Sequence, residues 1–135
     1  MTSLEGLTPM VQKAIAELME RFGEASVTFE PDGHGGARVT VARVPLPAGL
    51  DRGETWVGFM IPYDYDDVQV YGHHFPAELR CAGGGELSGS GFGQGQWNGT
   101  ASLVISRSSN CWRKGTDTAL LKLLKVVEFL DQRCP

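Results

Sequence analysis

A glycine-rich stretch over residues 83–99 restricts the folds open to this chain more than any other part of the sequence. Eight of these seventeen residues are glycine, and Phe92 and Trp97 are the largest apolar side chains among them. Glycine loses more conformational freedom on folding than any other residue, and it weakens helices and strands alike. The stretch therefore predicts a long irregular loop that is pinned by the two aromatic rings.

An amphipathic helix is predicted near the start of the chain, over residues 9–22. Thr8 has the side chain of an N-cap, Pro9 suits the first helical position, and Gly23 suits the position after the helix end. Apolar residues recur between them at steps of three and four, as on one buried face of a helix. They are Val11, Ala14, Ile15, Leu18, Met19 and Phe22.

Extended segments follow this helix, because the periodicity of the apolar residues changes to alternation and β-branched residues become frequent. Four strands are predicted before the glycine-rich loop, over residues 26–29, 37–44, 54–61 and 68–71. Residues 100–106, after it, are predicted to be a buried strand or an extended segment under the loop. Thr116 then predicts the start of a final helix that continues to about Gln132. The expected architecture is a single α+β domain of residues 1–135, with an N-terminal helix, a four-stranded antiparallel meander, a long loop and a C-terminal helix.

Composition and charge exclude several classes of function. A formal charge of −4 provides no basic surface for nucleic acid. No apolar run approaches the roughly 20 residues that span a bilayer, and the first residues do not resemble a signal peptide, so we expect a cytoplasmic protein without a membrane partner. Cys81, Cys111 and Cys134 are odd in number and lack a CxxC spacing, which predicts free thiols rather than a disulfide framework or a zinc site.

Two segments resemble the ubiquitin-conjugating-enzyme family. Residues 57–62, the Tyr-Asp-Tyr-Asp-Asp turn at 63–67 and the segment 68–71 are similar to the third strand, tyrosine-rich turn and fourth strand of that family. Residues 111–121, Cys-Trp-Arg-Lys-Gly-Thr-Asp-Thr-Ala-Leu-Leu, resemble the tryptophan, short turn and helix beyond its active site. The likeness covers roughly residues 54–130. Together with Trp97-Asn98-Gly99 and Ile105-Ser106-Arg107, it is similar to a prokaryotic subgroup that is often encoded beside a ubiquitin-like protein, an activating enzyme and a deconjugating protease.

The resemblance implies a UBC-like fold in which the glycine-rich stretch is the active-site loop. It also implies a function in a bacterial ubiquitin-like conjugation pathway. The chain would accept a ubiquitin-like protein as a thioester from an activating enzyme and pass it to a target protein. The alternative is a non-catalytic adaptor of the same fold that binds the ubiquitin-like protein or the activating enzyme.

Cys111 is the leading candidate nucleophile by local chemistry. It precedes the expected helix start at Thr116 and has Arg113 and Lys114 close in sequence, and both a helix N-terminus and nearby cations raise the thiolate fraction of a cysteine. The side chain of Asn110 could donate a hydrogen bond to a tetrahedral oxyanion. The alternative is that Cys111 is a small packing residue beside Trp112.

Other residues could carry the acyl group instead. Residues 103–109, where the family has its catalytic cysteine, contain none, and the chain has no His-Pro-Asn triplet. Cys81 is a second candidate at the start of the glycine-rich loop, whereas Cys134 is expected to be incidental near the C-terminus. A serine among Ser106, Ser108 and Ser109 could form an oxyester if a base activated it.

Neither a metal nor a cofactor is predicted. His73 and His74 are adjacent, so on a strand they point to opposite faces, and we expect one buried or capping side chain and one exposed side chain rather than a metal site. Asp64, Asp66 and Asp67 are expected to be solvated charges on a turn. The glycines precede no GKS or GKT sequence, which excludes a phosphate-binding loop.

Overall fold

Two helices and one antiparallel sheet make up the computed structural model, which describes residues 5–70, 72–106 and 112–134. The helices are α1 (Pro9–Phe22) and α2 (Ala119–Gln132). The strands are β1 (Val27–Pro31), β2 (Ala37–Pro45), β3 (Glu54–Ile61), β4 (His73–Pro76), β5 (Phe92–Trp97) and β6 (Thr100–Ile105). They form a six-stranded sheet in the order β1-β2-β3-β4-β6-β5. The α+β class is thus confirmed.

Helix α1 has the bounds that the sequence predicts. The Thr8 hydroxyl accepts a hydrogen bond from the Val11 N–H at 3.3 Å, and Gly23 ends the helix with a φ of 97°. The buried face consists of Val11, Ala14, Ile15 and Leu18. This face packs on the sheet and contacts α2, and burial of apolar side chains, rather than helix propensity, stabilises a helix of this length.

The hydrophobic core lies between the helices and one face of the sheet. Val39 and Val41 of β2 are buried on that face and pair with Phe59 and Val57 of β3. From α2, Leu123 and Leu130 complete the core, together with other buried residues of the same helix. Strand β3 has the predicted bounds, because its aromatic and β-branched residues suit a strand in the middle of a sheet.

The fourth strand was predicted at the wrong place. Residues 68–70 are not in a strand, and His73–Pro76 instead pairs with β6 from His73↔Ile105 to Pro76↔Ser102. Two adjacent histidines and a proline are poor strand formers by propensity, so local sequence favoured the segment 68–71. Pairing with β6 decides which segment joins the sheet.

The prediction of an irregular loop over residues 83–99 was wrong for its last third. Residues 92–97 form β5, which pairs with β6 through the two-residue turn Asn98-Gly99. Both turn residues have positive φ, 52° and 79°, as a tight hairpin turn requires. The sheet therefore has six strands rather than a four-stranded meander, because β5 and the segment predicted at 100–106, which forms β6, also belong to it. Asn98-Gly99 was the hairpin signal in the sequence.

Helix α2 begins two residues later than predicted. Thr118, not Thr116, is the N-cap, and its hydroxyl accepts a hydrogen bond from the Leu121 N–H at 3.1 Å. Its buried residues include Ala119, Leu123, Val127 and Leu130, and Phe129 stacks on Phe92 of β5 with ring centroids 5.5 Å apart. Neither helix in the described part of the chain is long and apolar enough to cross a membrane.

Candidate functional site

The turn after β3 and the segment before α2 are joined by hydrogen bonds. The indole Nε1 of Trp112 donates to the Asp66 carbonyl at 2.8 Å, and the Gly115 N–H donates to the Asp66 carboxylate at 2.7 Å. The rings of Tyr65 and Trp112 meet edge to face, with centroids 6.3 Å apart. Residues almost fifty positions apart thus form one junction, which we call the turn–helix junction and define as Tyr65, Asp66, Trp112, Gly115 and Ala119.

Tyr65 extends this junction to the first turn of α2. Its hydroxyl oxygen accepts a hydrogen bond from the Ala119 N–H at 2.9 Å, and thereby satisfies one of the donors that a helix leaves unpaired at its start. Burial raises the pKa of the Tyr65 hydroxyl above its ordinary value, so the group stays neutral in the physiological range.

The expectation that the three aspartates are solvated charges was wrong for Asp66. This residue is 4% exposed and its carboxylate is hydrogen-bonded to Gly115, which has a φ of 81°. Asp67 matches the expectation, because it is exposed and forms an ion pair with Lys114 at 2.7 Å. This ion pair raises the pKa of Lys114 above its ordinary value.

The predicted nucleophile and its neighbour are not in the described part of the chain. Cys111 and Asn110 fall in the segment 107–111, as do Ser108 and Ser109. Ser106 is described and exposed, and its N–H donates to the Gly91 carbonyl at 2.9 Å. Helix α2 begins at Ala119, eight positions after Cys111 in the sequence, and the effect of a helix dipole falls off within one turn.

The prediction of free thiols was wrong for Cys81 and Cys134. The two residues form a disulfide with Cα atoms 5.5 Å apart and a sequence separation of 53. Cys134 follows the last turn of α2, and Cys81 forms an isolated antiparallel β-bridge with Leu50. A spacing of 53 residues carries no local signal of such a bond, because only the packing of α2 brings the two thiols together.

Cys81 is thus not the nucleophile that the alternative interpretation suggested. A cysteine in a disulfide has no thiol for acyl transfer, and Cys134 is excluded for the same reason. The sequence contains three cysteines, so Cys111 is the one that remains as a candidate nucleophile.

The prediction for the paired histidines is confirmed in its main part. His73 is fully buried beside Phe59, and both of its ring nitrogens lack a hydrogen-bond partner among the described residues. Burial, with smaller effects of Lys122 and His74, lowers the pKa of His73 to about 3. His74 lies on the other face and is half-buried rather than exposed, and its Nδ1 is 2.8 Å from the Ser102 hydroxyl.

A second small core on the outer face of the sheet was not predicted. Trp97 is 4% exposed and lies directly over Gly58 of β3, where a Cβ atom would collide with the indole ring. The guanidinium of Arg38 lies 4.1 Å from the ring centroid, and the ring of His74 is 4.8 Å away on centroids. The indole N–H donates to the Thr40 hydroxyl at 2.8 Å. Trp97 thus holds its segment against the sheet, as predicted. It makes these contacts from the β5–β6 hairpin and not from an irregular loop.

A cleft of about 500 Å³ lies beside this hairpin. Its walls include Arg80, Glu86 and Leu87 on one side and Phe92 and Leu103 on the other. A volume of this size accommodates a small molecule or a few residues of a peptide. The described residues include no group of three or more histidine, cysteine or acidic side chains placed to hold a metal ion.

No protein-family model, no curated protein and no solved structure matches this chain.

Proposed function

We propose that this chain is a UBC-like protein of a bacterial ubiquitin-like conjugation pathway, and that Cys111 accepts the ubiquitin-like protein as a thioester. The observation that carries the proposal is the turn–helix junction. The two motifs on which the family resemblance depends, residues 63–67 and 111–121, are far apart in sequence, yet Trp112 and Gly115 both bind Asp66. Contact between the two motifs is expected if both belong to one site.

The junction supports this function because it anchors the residue that follows the candidate nucleophile. Trp112 is bound to the Asp66 carbonyl and contacts the Tyr65 ring, and Cys111 is its direct neighbour in the chain. Acyl transfer depends on a nucleophile held in productive geometry. An anchored neighbour reduces the conformational freedom that must be lost when the thioester partner binds.

The chemistry requires two acyl transfers. The Cys111 thiolate attacks the thioester carbonyl of the activated ubiquitin-like protein, forms a new carbon–sulfur bond and expels the thiolate of the activating enzyme. An amine of the target then attacks the Cys111 thioester, the carbon–nitrogen bond forms, and the Cys111 thiolate leaves while a base takes the amine proton. Asn110 is the candidate donor to the oxyanion in both steps.

A non-catalytic adaptor is the second candidate. It is favoured by strand β5, since an ordered hairpin lies in the region where the resemblance implies a long active-site loop. An adaptor would bind the ubiquitin-like protein or the activating enzyme through its surface and would form no covalent bond.

Covalent loading separates the two functions. The purified chain is incubated with ATP and with the activating enzyme and ubiquitin-like protein from the same genome, then resolved without reductant. We expect an adduct that added thiol cleaves. Cys111→Ser should give a thiol-resistant but base-labile ester or no adduct, and Cys111→Ala should give none. The double variant Cys81→Ala/Cys134→Ala is the matched control, and it should still load. A Cys111→Ala protein that loads would refute the assignment, and non-covalent binding without an adduct would favour the adaptor.

A further inference from the structure

Strand β5 lies at the edge of the sheet with one side unpaired by the described strands. It pairs with β6 from Phe92↔Ile105 to Trp97↔Thr100 and is the last strand in the sheet order. In a two-residue hairpin, the two residues that flank the turn exchange main-chain hydrogen bonds with each other. Going away from the turn, every second pair of opposite residues does the same. The Ser106 N–H donates to the Gly91 carbonyl at 2.9 Å, which fits this alternation. The N–H and C=O groups of Gln94 and Gln96 therefore point away from β6.

Among the described residues, this edge has none of the features that usually prevent two sheets from joining. Such edges carry charged side chains, prolines or bulges, or they are covered. The opposite edge strand, β1, has Glu30 and Pro31. Strand β5 has the sequence Phe-Gly-Gln-Gly-Gln-Trp, without a charge, a proline or a register shift, and both glutamines are exposed.

We propose that β5 is a self-association surface, on which the β5 strands of two copies of this chain pair in antiparallel register. If the two-fold axis between the copies passes through the position of Gly95, Gln94 of each copy lies opposite Gln96 of the other. The outward main-chain groups of these residues then form four hydrogen bonds. Glutamine side chains both donate and accept, so each amide can also bind the amide opposite it. An uncharged strand is complementary to itself in this arrangement because no like charges face each other.

The contact is small, so the dimer is expected to be weak and reversible. A pair of six-residue strands buries much less than the roughly 1,600 Å² of a standard interface, and such small contacts are typical of transient association. Each copy carries a net charge of −4. Salt screens the repulsion between two such copies, so added salt should favour the dimer.

Sedimentation equilibrium of the full chain tests the proposal over a wide range of concentrations. We expect a monomer–dimer equilibrium with a Kd on the order of 0.1–1 mM, which corresponds to a weak contact. Gln94→Pro should abolish the dimer, because it removes an outward N–H but no hydrogen bond to β6. An unchanged circular dichroism spectrum and melting midpoint would show that this variant is folded.

A charge exchange tests the pairing of the two β5 strands. Gln94→Lys/Gln96→Lys and Gln94→Glu/Gln96→Glu should each be monomeric, because like charges face each other in both pairs. Mixing the two variants should restore a dimer, because each lysine then faces a glutamate. A wild-type chain that remains monomeric at about 1 mM overturns the proposal, and so does a dimer that survives Gln94→Pro or a mixture that stays monomeric.

Discussion

The carboxylate of Asp66 accepts a hydrogen bond from the Gly115 N–H at 2.7 Å, across a sequence separation of 49 residues. We expect Asp66→Ala to lower the free energy of unfolding by roughly 1–3 kcal/mol, because it leaves a part-buried N–H without its acceptor. Denaturant unfolding measures the effect.

Asp67→Ala is the matched control for this change. It removes an adjacent aspartate whose ion pair with Lys114 is exposed, so stability should hardly change. If the two variants were equally stable, the hydrogen bond between Gly115 and the Asp66 carboxylate would not contribute to the fold.

The disulfide predicts the number of reactive thiols. In denaturant without reductant, the purified chain should show one thiol, and after reduction it should show three. Stable disulfides are uncommon in the cytosol, so a count of one thiol before reduction would count against the expected cytoplasmic location. A count of three before reduction would contradict the Cys81–Cys134 bond.

Loss of the disulfide should also destabilise the chain. The bond closes a loop with a sequence separation of 53, so the double variant Cys81→Ala/Cys134→Ala should lose about 2–4 kcal/mol, chiefly through the greater freedom of the unfolded chain. Cys111→Ala is the control, since it leaves the bond intact. Equal unfolding midpoints for the double variant and the wild type would count against the bond.

His73 should make stability depend on pH below neutrality. Its pKa is about 3 in the folded chain and 6.5 as the ordinary value, so the unfolded chain takes up the proton first as the pH falls. The free energy of unfolding should therefore fall between about pH 6.5 and pH 3, by at most about 1.4 kcal/mol per pH unit from this group.

A variant without the imidazole isolates this contribution. His73→Leu should be at least as stable at pH 7, because it removes a buried polar ring that has no hydrogen-bond partner among the described residues, and it should lose less stability in acid. His34→Gln is the control on an exposed turn. Acid unfolding curves of His73→Leu and wild type that coincide would show that His73 is not buried in its neutral form.

Gly58 should tolerate no side chain. A Cβ at this position meets the indole ring of Trp97, so Gly58→Ala should displace the ring and cost about 1–3 kcal/mol. Gly53→Ala is the control, since nothing lies within 4 Å of a Cβ there. Melting midpoints and tryptophan fluorescence report the two effects, and a Gly58→Ala protein as stable as Gly53→Ala would mean that Trp97 does not cover β3.

Amide exchange should alternate along β5 in dilute solution. The N–H groups of Gly93 and Gly95 face β6 and should exchange slowly, whereas those of Gln94 and Gln96 face away and should exchange fast. Gly93 and Gly95 are the control for Gln94 and Gln96, because all four lie in the same strand. Uniformly fast exchange over residues 92–97 would indicate the irregular loop that glycine content alone predicts.

Local patterns in the sequence determined the bounds of those helices and strands whose signals extend over only a few residues. Thr8, Pro9 and Gly23 set the bounds of α1, and the aromatic and β-branched run with a following proline set those of β3. Capping groups and side-chain periodicity act within a few residues, so they can be interpreted without knowledge of the fold. The opposite orientation of His73 and His74 followed in the same way from the two-residue period of a strand.

Tertiary structure decided what depends on partners distant in sequence. Pairing with β6 made a strand of His73–Pro76 against its local propensity, whereas β5 joins β6 through a hairpin whose Asn98-Gly99 signal is local. Packing of α2 brought Cys134 to Cys81, and the junction with Gly115 buried Asp66. For β4, the disulfide and the junction, the free energy that stabilises the contact comes from residues about thirty or more positions away, so composition and spacing carry no record of it. Local sequence proposes several arrangements of such segments, and long-range contacts select one of them.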